Sequence, residues 1–140
     1  MPDGQSGPFR ARLSHRLTSM FVEPSPEALK ASADLGALVV ELHTGAWCDA
    51  RARGEAAKAD HEFDRLRRAS VETRALGLEC HAGHGLDYDT ARIVASLPEI
   101  VELNIGHFLV GEAIFVGLAD TVKAMRVAMN EGRVTAGRAP

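Results

Sequence analysis

The sequence predicts an α/β domain in which four βα units build a parallel sheet, one half of a (β/α) barrel. Three observations lead there. Strand, glycine-rich turn and helix follow one another at His81-Ala-Gly-His-Gly-Leu86 and again at Asn104-Ile-Gly-His107. No hairpin signal interrupts the alternation, so the strands are parallel and joined by helices. Three strands are apolar on one face and carry Glu, His or Asn on the other. A doubly wound sheet favours strands that are apolar on both faces. A barrel has its helices outside only, and its interior accepts polar side chains near an active site.

The elements follow in order. Residues 1–16 are polar, rich in Gly, Pro and Arg, and expected to be poorly ordered. Leu17–Val22 reads as the first strand. Ser25 as N-cap, Pro26 at the first helical position and Glu27 near the positive end start a helix, which Gly36 stops. In the second strand, Leu38–His43, Val40 and Leu42 point one way and Glu41 and His43 the other. Residues 46–54 read as a loop. A long helix runs from Glu55 to Ala75 on a stripe of Ala59, Phe63, Leu66 and Ser70.

The third strand is short, with Leu78 and Cys80 opposite Glu79 and His81, and it passes into the turn at His81–Leu86. Asp87 or Asp89 caps a helix to Ser96. In the fourth strand Val101 and Leu103 oppose Glu102 and Asn104. Phe108–Phe115 reads as a short helix, and Leu118, Val122, Met125 and Met129 mark a final one ending near Gly132. Residues 17–132 thus form the domain, and residues 133–140 a loose tail.

With 140 residues the chain suits one domain with a real core. A net charge of −3 and a pI of about 6.1 offer no reason to expect nucleic acid or an anionic membrane as partner. No signal peptide or membrane-spanning run is visible. Cys48 and Cys80 lack paired metal spacing and fit a reducing, cytoplasmic setting.

The chemistry points to the two turns. Glycine lets the backbone approach a ligand, free N–H groups at a following helix start favour anions, and histidine moves protons near neutral pH. His84, between two glycines, reads as functional, and Gly106-His107 similarly. Glu41 lies in an otherwise apolar strand, so it is a functional carboxylate or half of an internal ion pair. His43 on the same face reads more simply as a hydrogen-bonded structural histidine. A metal site is the rival reading: His81 and His84 with Glu41, His43 or Cys80 offer mixed ligands, at no standard spacing. Trp47, Phe108 and Phe115 read as packing residues, Cys80 as core.

Val39-Val-Glu-Leu-His-Thr-Gly45, His81-Ala-Gly-His-Gly-Leu86 and Val101-Glu-Leu-Asn-Ile-Gly-His107 together resemble three successive strand-end motifs of the pyridoxine 5′-phosphate synthase family. The resemblance runs from about Leu17 to Gly132. It implies a (β/α)8 TIM barrel of vitamin B6 biosynthesis. That enzyme condenses 3-amino-2-oxopropyl phosphate with 1-deoxy-D-xylulose 5-phosphate, without a redox cofactor or metal, to pyridoxine 5′-phosphate, phosphate and water. By resemblance, His84 is the proton donor and Glu41 stabilises the transition state. Gly85, Gly106 and His107 hold the amino-ketone phosphate.

There are departures from the family pattern. His81 stands where asparagine is expected, and Glu23 where aspartate is. Only the last four βα units are present, whereas a whole barrel needs about 250 residues. The family's proton-accepting histidine and a further glutamate come from earlier strands. The resemblance therefore implies either an enzyme component, paired as a homo-oligomer or with a complementing N-terminal half barrel, or a non-catalytic remnant that keeps a phosphate site.

Overall fold

The computed structural model describes residues 18–137. Residues 1–16, expected to be poorly ordered, lie outside that range. Four strands, β1 (Ser19–Val22), β2 (Val39–His43), β3 (Glu79–Gly83) and β4 (Ile100–Asn104), form one sheet in the order β1-β2-β3-β4, every pair parallel. Between and after them come α1 (Pro26–Asp34), α2 (Gly45–Ala52), α3 (Ala56–Ala75), α4 (Tyr88–Ala95), α5 (His107–Val116) and α6 (Leu118–Thr135). The expected βα alternation is observed.

Strand alternation sorts the sheet into two unlike faces. Val40, Leu42, Cys80 and Ala82 are fully buried and join Leu29, Leu66, Val94 and Met125 from the helices in one core. Each large aliphatic side chain sealed there contributes roughly 1.5–3 kcal/mol. The other face carries Phe21, Glu41 and His81 in register across β1, β2 and β3, with His81 opposite Glu102 of β4. The next row toward the C-terminal ends is His43, Gly83 and Asn104.

Local chemistry explains the starts and stops that were legible. Ser25 Oγ accepts from the Ala28 N–H at 3.3 Å, with Pro26 in the first turn of α1. Asp87 caps α4 through a reciprocal pair: its carboxylate accepts from the Thr90 N–H at 2.8 Å, and Thr90 Oγ1 accepts from the Asp87 N–H at 2.8 Å.

Several boundaries differ from expectation. The supposed loop at 46–54 is largely helix α2, with Trp47, Cys48 and Ala50 buried. Eight residues without a side-chain cap hold no helix alone. Tertiary packing holds this one, with Trp47 against Phe63 at 5.2 Å between ring centroids. β3 runs on to Gly83, so His81 belongs to a strand and the turn begins at His84. In β4 the register slips between Cys80/Ile100 and His81/Glu102, which skips Val101. Ile100 and not Val101 therefore shares the core face with Leu103: Ile100 is buried and Val101 exposed.

Gly132 does not end α6, which continues to Thr135. A Cβ at Gly132 would collide with the Arg92 carbonyl oxygen of α4 and lie 3.2 Å from the Ala95 Cβ. The glycine is there for close approach between helices. Phe115, expected to pack, is 84% exposed.

These contacts set a test of packing. Gly132→Ala should destabilise the chain by about 1–3 kcal/mol through overpacking, read by chemical denaturation. Gly111→Ala, where a Cβ meets nothing within 4 Å, should instead stabilise by up to about 1 kcal/mol.

Candidate active site

Parallel strands bring their C-terminal ends to one edge, and that edge holds a cavity of about 580 Å³. Glu41, His84, Gly85, Gly106 and His107 all line it, together with Phe21, Leu86, Asn104, Ile105 and Phe108. Residues dispersed over more than sixty positions in sequence thus share one concave surface.

Glu41 reaches up from β2. Its Oε2 accepts a hydrogen bond at 2.8 Å from Asn104 Nδ2 on β4, across the intervening β3. Gly83 makes this possible. A Cβ there would collide with Glu41 Oε1 and come within 2.8 Å of the Asn104 carbonyl oxygen. The carboxylate occupies the space that a side chain on β3 would have filled. Its partner is a neutral amide, so it keeps its ability to meet a positive centre.

His84 sits just past β3 with φ at +81°, a left-handed backbone for a non-glycine residue. Such a conformation costs roughly 1–3 kcal/mol and persists where surroundings enforce it. Here Thr44 does so: its Oγ1 reaches the Gly83 carbonyl at 2.7 Å and the His84 carbonyl at 2.5 Å, while its N–H donates to Gly83 O at 2.9 Å. Gly85 follows at φ +77°, with Cys48 packed under it. The turn is therefore rigid, with the His84 ring at the cavity.

On the opposite rim, Gly106 caps α5 without a side chain, and His107 begins the helix. The first N–H groups of a helix have no intrahelical acceptor and carry the positive end of its dipole. Gly106, His107 and Phe108 at this helix start line the cavity.

His43 is hydrogen-bonded, Nδ1 to Glu23 Oε1 at 2.6 Å. His81 is drawn elsewhere, with Nε2 at 2.8 Å from Glu79 and Nδ1 at 3.7 Å from Glu102. Among the described residues no group of three His, Cys, Asp or Glu is disposed to hold a metal ion. Burial pushes the Cys80 thiol up to about 12 and the Cys48 thiol up to about 11, which leaves both protonated near neutral pH.

The sequence alone does not mark Asn104 or Thr44 as site residues. The signal for Asn104 was its place on the polar face beside Glu41. Thr44 carried none, since a threonine ending a strand is ordinary.

Gly83→Ala should displace the Glu41 carboxylate and break its bond to Asn104. The Asn104 side-chain amide resonances should move toward those of a solvated amide in a 15N correlation spectrum, with a loss of about 1–3 kcal/mol in stability. Unmoved resonances would mean that the carboxylate does not occupy this space.

Among the described residues no helix is long and apolar enough to cross a membrane. Residues 10–131 match the family model described as pyridoxal phosphate biosynthesis protein PdxJ. The chain is 51% identical over 132 residues to the pyridoxine 5′-phosphate synthase of Rhodopseudomonas palustris, covering 93% of this chain and 52% of that protein. It is 55% identical over 119 residues to the synthase of the same name from Xanthobacter autotrophicus, covering 85% and 46%. With the Caulobacter vibrioides synthase it shares 51% over 125 residues, 89% and 49%. The chain spans about half the length of these curated relatives and corresponds to their C-terminal part. A family match over nearly the whole chain, with relatives at half identity, makes this protein a member of the pyridoxal phosphate biosynthesis protein PdxJ family.

Proposed function

We propose that the chain supplies the C-terminal four βα units of a (β/α)8 barrel, and with them the acid and phosphate-holding side of a pyridoxine 5′-phosphate synthase site. The observation that carries this reading is the shared cavity of Glu41, His84, Gly85, Gly106 and His107 at the C-terminal edge of the sheet. In barrels this edge is where chemistry occurs, and phosphate groups favour the loops after the last strands. The substrates would be 3-amino-2-oxopropyl phosphate and 1-deoxy-D-xylulose 5-phosphate, joined with loss of phosphate and water.

Each residue takes the role that the family resemblance implies, and its setting supports that role. His84, on a rigid turn, is the proton donor for carbonyl addition and dehydration. Glu41, oriented by Asn104, stabilises positive charge developing where amine and carbonyl combine. Gly85, Gly106, His107 and the N-terminus of α5 receive the amino-ketone phosphate, since small residues and free N–H groups let oxygen atoms approach. No side chain here is assigned as the complementary base.

The reading also requires a partner. β1 and β4 are the two edges of the described sheet, and open parallel edges invite pairing. α5 is apolar yet buries none of its residues, with Val110 65%, Ile114 78% and Phe115 84% exposed. Apolar surface of this extent marks an interaction site. A complementing N-terminal half barrel fits better than a second copy of this chain. In a homodimer closed on the polar face, Glu41, Glu79 and Glu102 would meet their own copies, and burying like charges together is costly.

Two outcomes test the proposal. The purified chain alone should form no detectable pyridoxine 5′-phosphate, because acid and base act as a unit. Mixing it with a chain carrying the first four βα units of a relative should restore turnover. Turnover by this chain alone, or a monomer indifferent to the added half, would refute the partnership.

The phosphate site is tested separately. Inorganic phosphate should shift the amide resonances of Gly85, Gly106 and His107, and Gly106→Val should abolish the shifts. A Cβ at Gly106 meets nothing within 4 Å in the protein, so loss of binding would report on ligand approach, not on folding. Shifts that survive in Gly106→Val would place the phosphate elsewhere.

A further inference from the structure

The backbone of His84 is held by Thr44, and its ring by a separate set of contacts. His43, at the end of β2, has Nδ1 2.6 Å from Glu23 Oε1, just past the end of β1. An ionised carboxylate only accepts hydrogen bonds, so the Nδ1 proton stays on His43 and, in the neutral ring, Nε2 carries the lone pair. Glu23 is itself anchored, because its carbonyl accepts from the Ser25 N–H at 2.8 Å.

The His43 ring also lies against His84. The two rings meet edge to face, centroids 4.8 Å apart and planes at 65°. They do so above Gly45, where a Cβ would come within 2.6 Å of His43 Nε2 and 2.9 Å of His84 Cδ2. Any side chain at 45 would push the rings apart. Phe21 completes the cluster, 5.1 Å from the His43 ring and 6.4 Å from that of His84.

We propose that Glu23 and His43 are positioning residues for His84: the carboxylate fixes the tautomer and tilt of His43, whose ring holds the His84 imidazole toward the cavity. Neither residue is in the lining of this cavity, whereas His84 is, so their route to it runs through the His84 ring. The same logic operates wherever a carboxylate orients a histidine that serves a second group. The proposal rests on the reading of His84 as proton donor, and it extends that reading to two residues for which the sequence offered no catalytic role.

The test uses the 140-residue chain, with side-chain 15N spectra and ring-to-ring NOEs of its histidines at a pH where the rings are neutral. His43 should appear as the Nδ1–H tautomer in contact with the His84 ring. Glu23→Ala should release that tautomer and weaken the contact. Glu23→Gln, which keeps an acceptor oxygen, should restore much of both. The Glu23 side chain is 56% exposed, so these variants leave the core intact. An Nε2–H tautomer in the unaltered chain, or a His84 ring indifferent to Glu23→Ala, would overturn the proposal. In the enzyme reconstituted with the complementing half, Glu23→Ala should lower kcat on the order of tenfold with KM unchanged, since misplacing a reacting group slows the chemical step. Unchanged kcat would overturn it equally. A reconstituted unaltered enzyme without turnover would count against the catalytic reading alone, and the spectra would still decide the positioning.

Discussion

The hydrogen bond from Asn104 to Glu41, 2.8 Å long and spanning a strand that belongs to neither, organises the polar face of the sheet. It exists because Gly83, in register between His43 and Asn104, leaves a gap in the row. A carboxylate set among apolar strands is costly unless something satisfies it. A neutral amide satisfies it without neutralising it. An arginine in that place would have made Glu41 a structural ion pair. On the proposed reading, this choice of partner leaves the carboxylate available for chemistry.

Tension of a different kind is stored one row further on. His84 adopts a left-handed backbone that its Cβ disfavours, and Thr44 holds it there with one hydroxyl set between two carbonyl oxygens. The gain is direction. A histidine on an ordinary extended strand would project perpendicular to the sheet, whereas the turn carries this ring beyond the strand end to the cavity rim. Gly45 leaves room for that ring beside His43, so glycines at 45, 83 and 85 serve three distinct steric purposes in one site.

The two faces of the sheet are unequally finished. The helical side is a sealed core in which Leu29, Val40, Leu42, Cys80 and Ala82 are fully buried. The polar side, the strand edges and α5 carry surface that the described residues leave uncovered. That asymmetry agrees with a protein spanning about half the length of its relatives. On the proposed reading, the same surface joins the two halves and completes the site, so assembly and catalysis depend on one another.

The sequence by itself determined the βα order, the parallel sheet, the cap at Ser25, a cap at either Asp87 or Asp89, and the polar faces of β2 and β3, because alternation and capping are local properties written in adjacent residues. It also marked the glycine turns at 85 and 106 as places where backbone could approach a ligand. Only the tertiary structure decided that 45–52 is helical, since its stability comes from Trp47 packing on Phe63 rather than from its own pattern. The slip at Val101 likewise depends on what β3 offers opposite. The partners of Glu41 and His43 lie on other strands, and the purpose of Gly83 and Gly132 appears only when a neighbour closes on them. Such contacts join residues far apart in the chain, and no local pattern encodes which side chain will arrive.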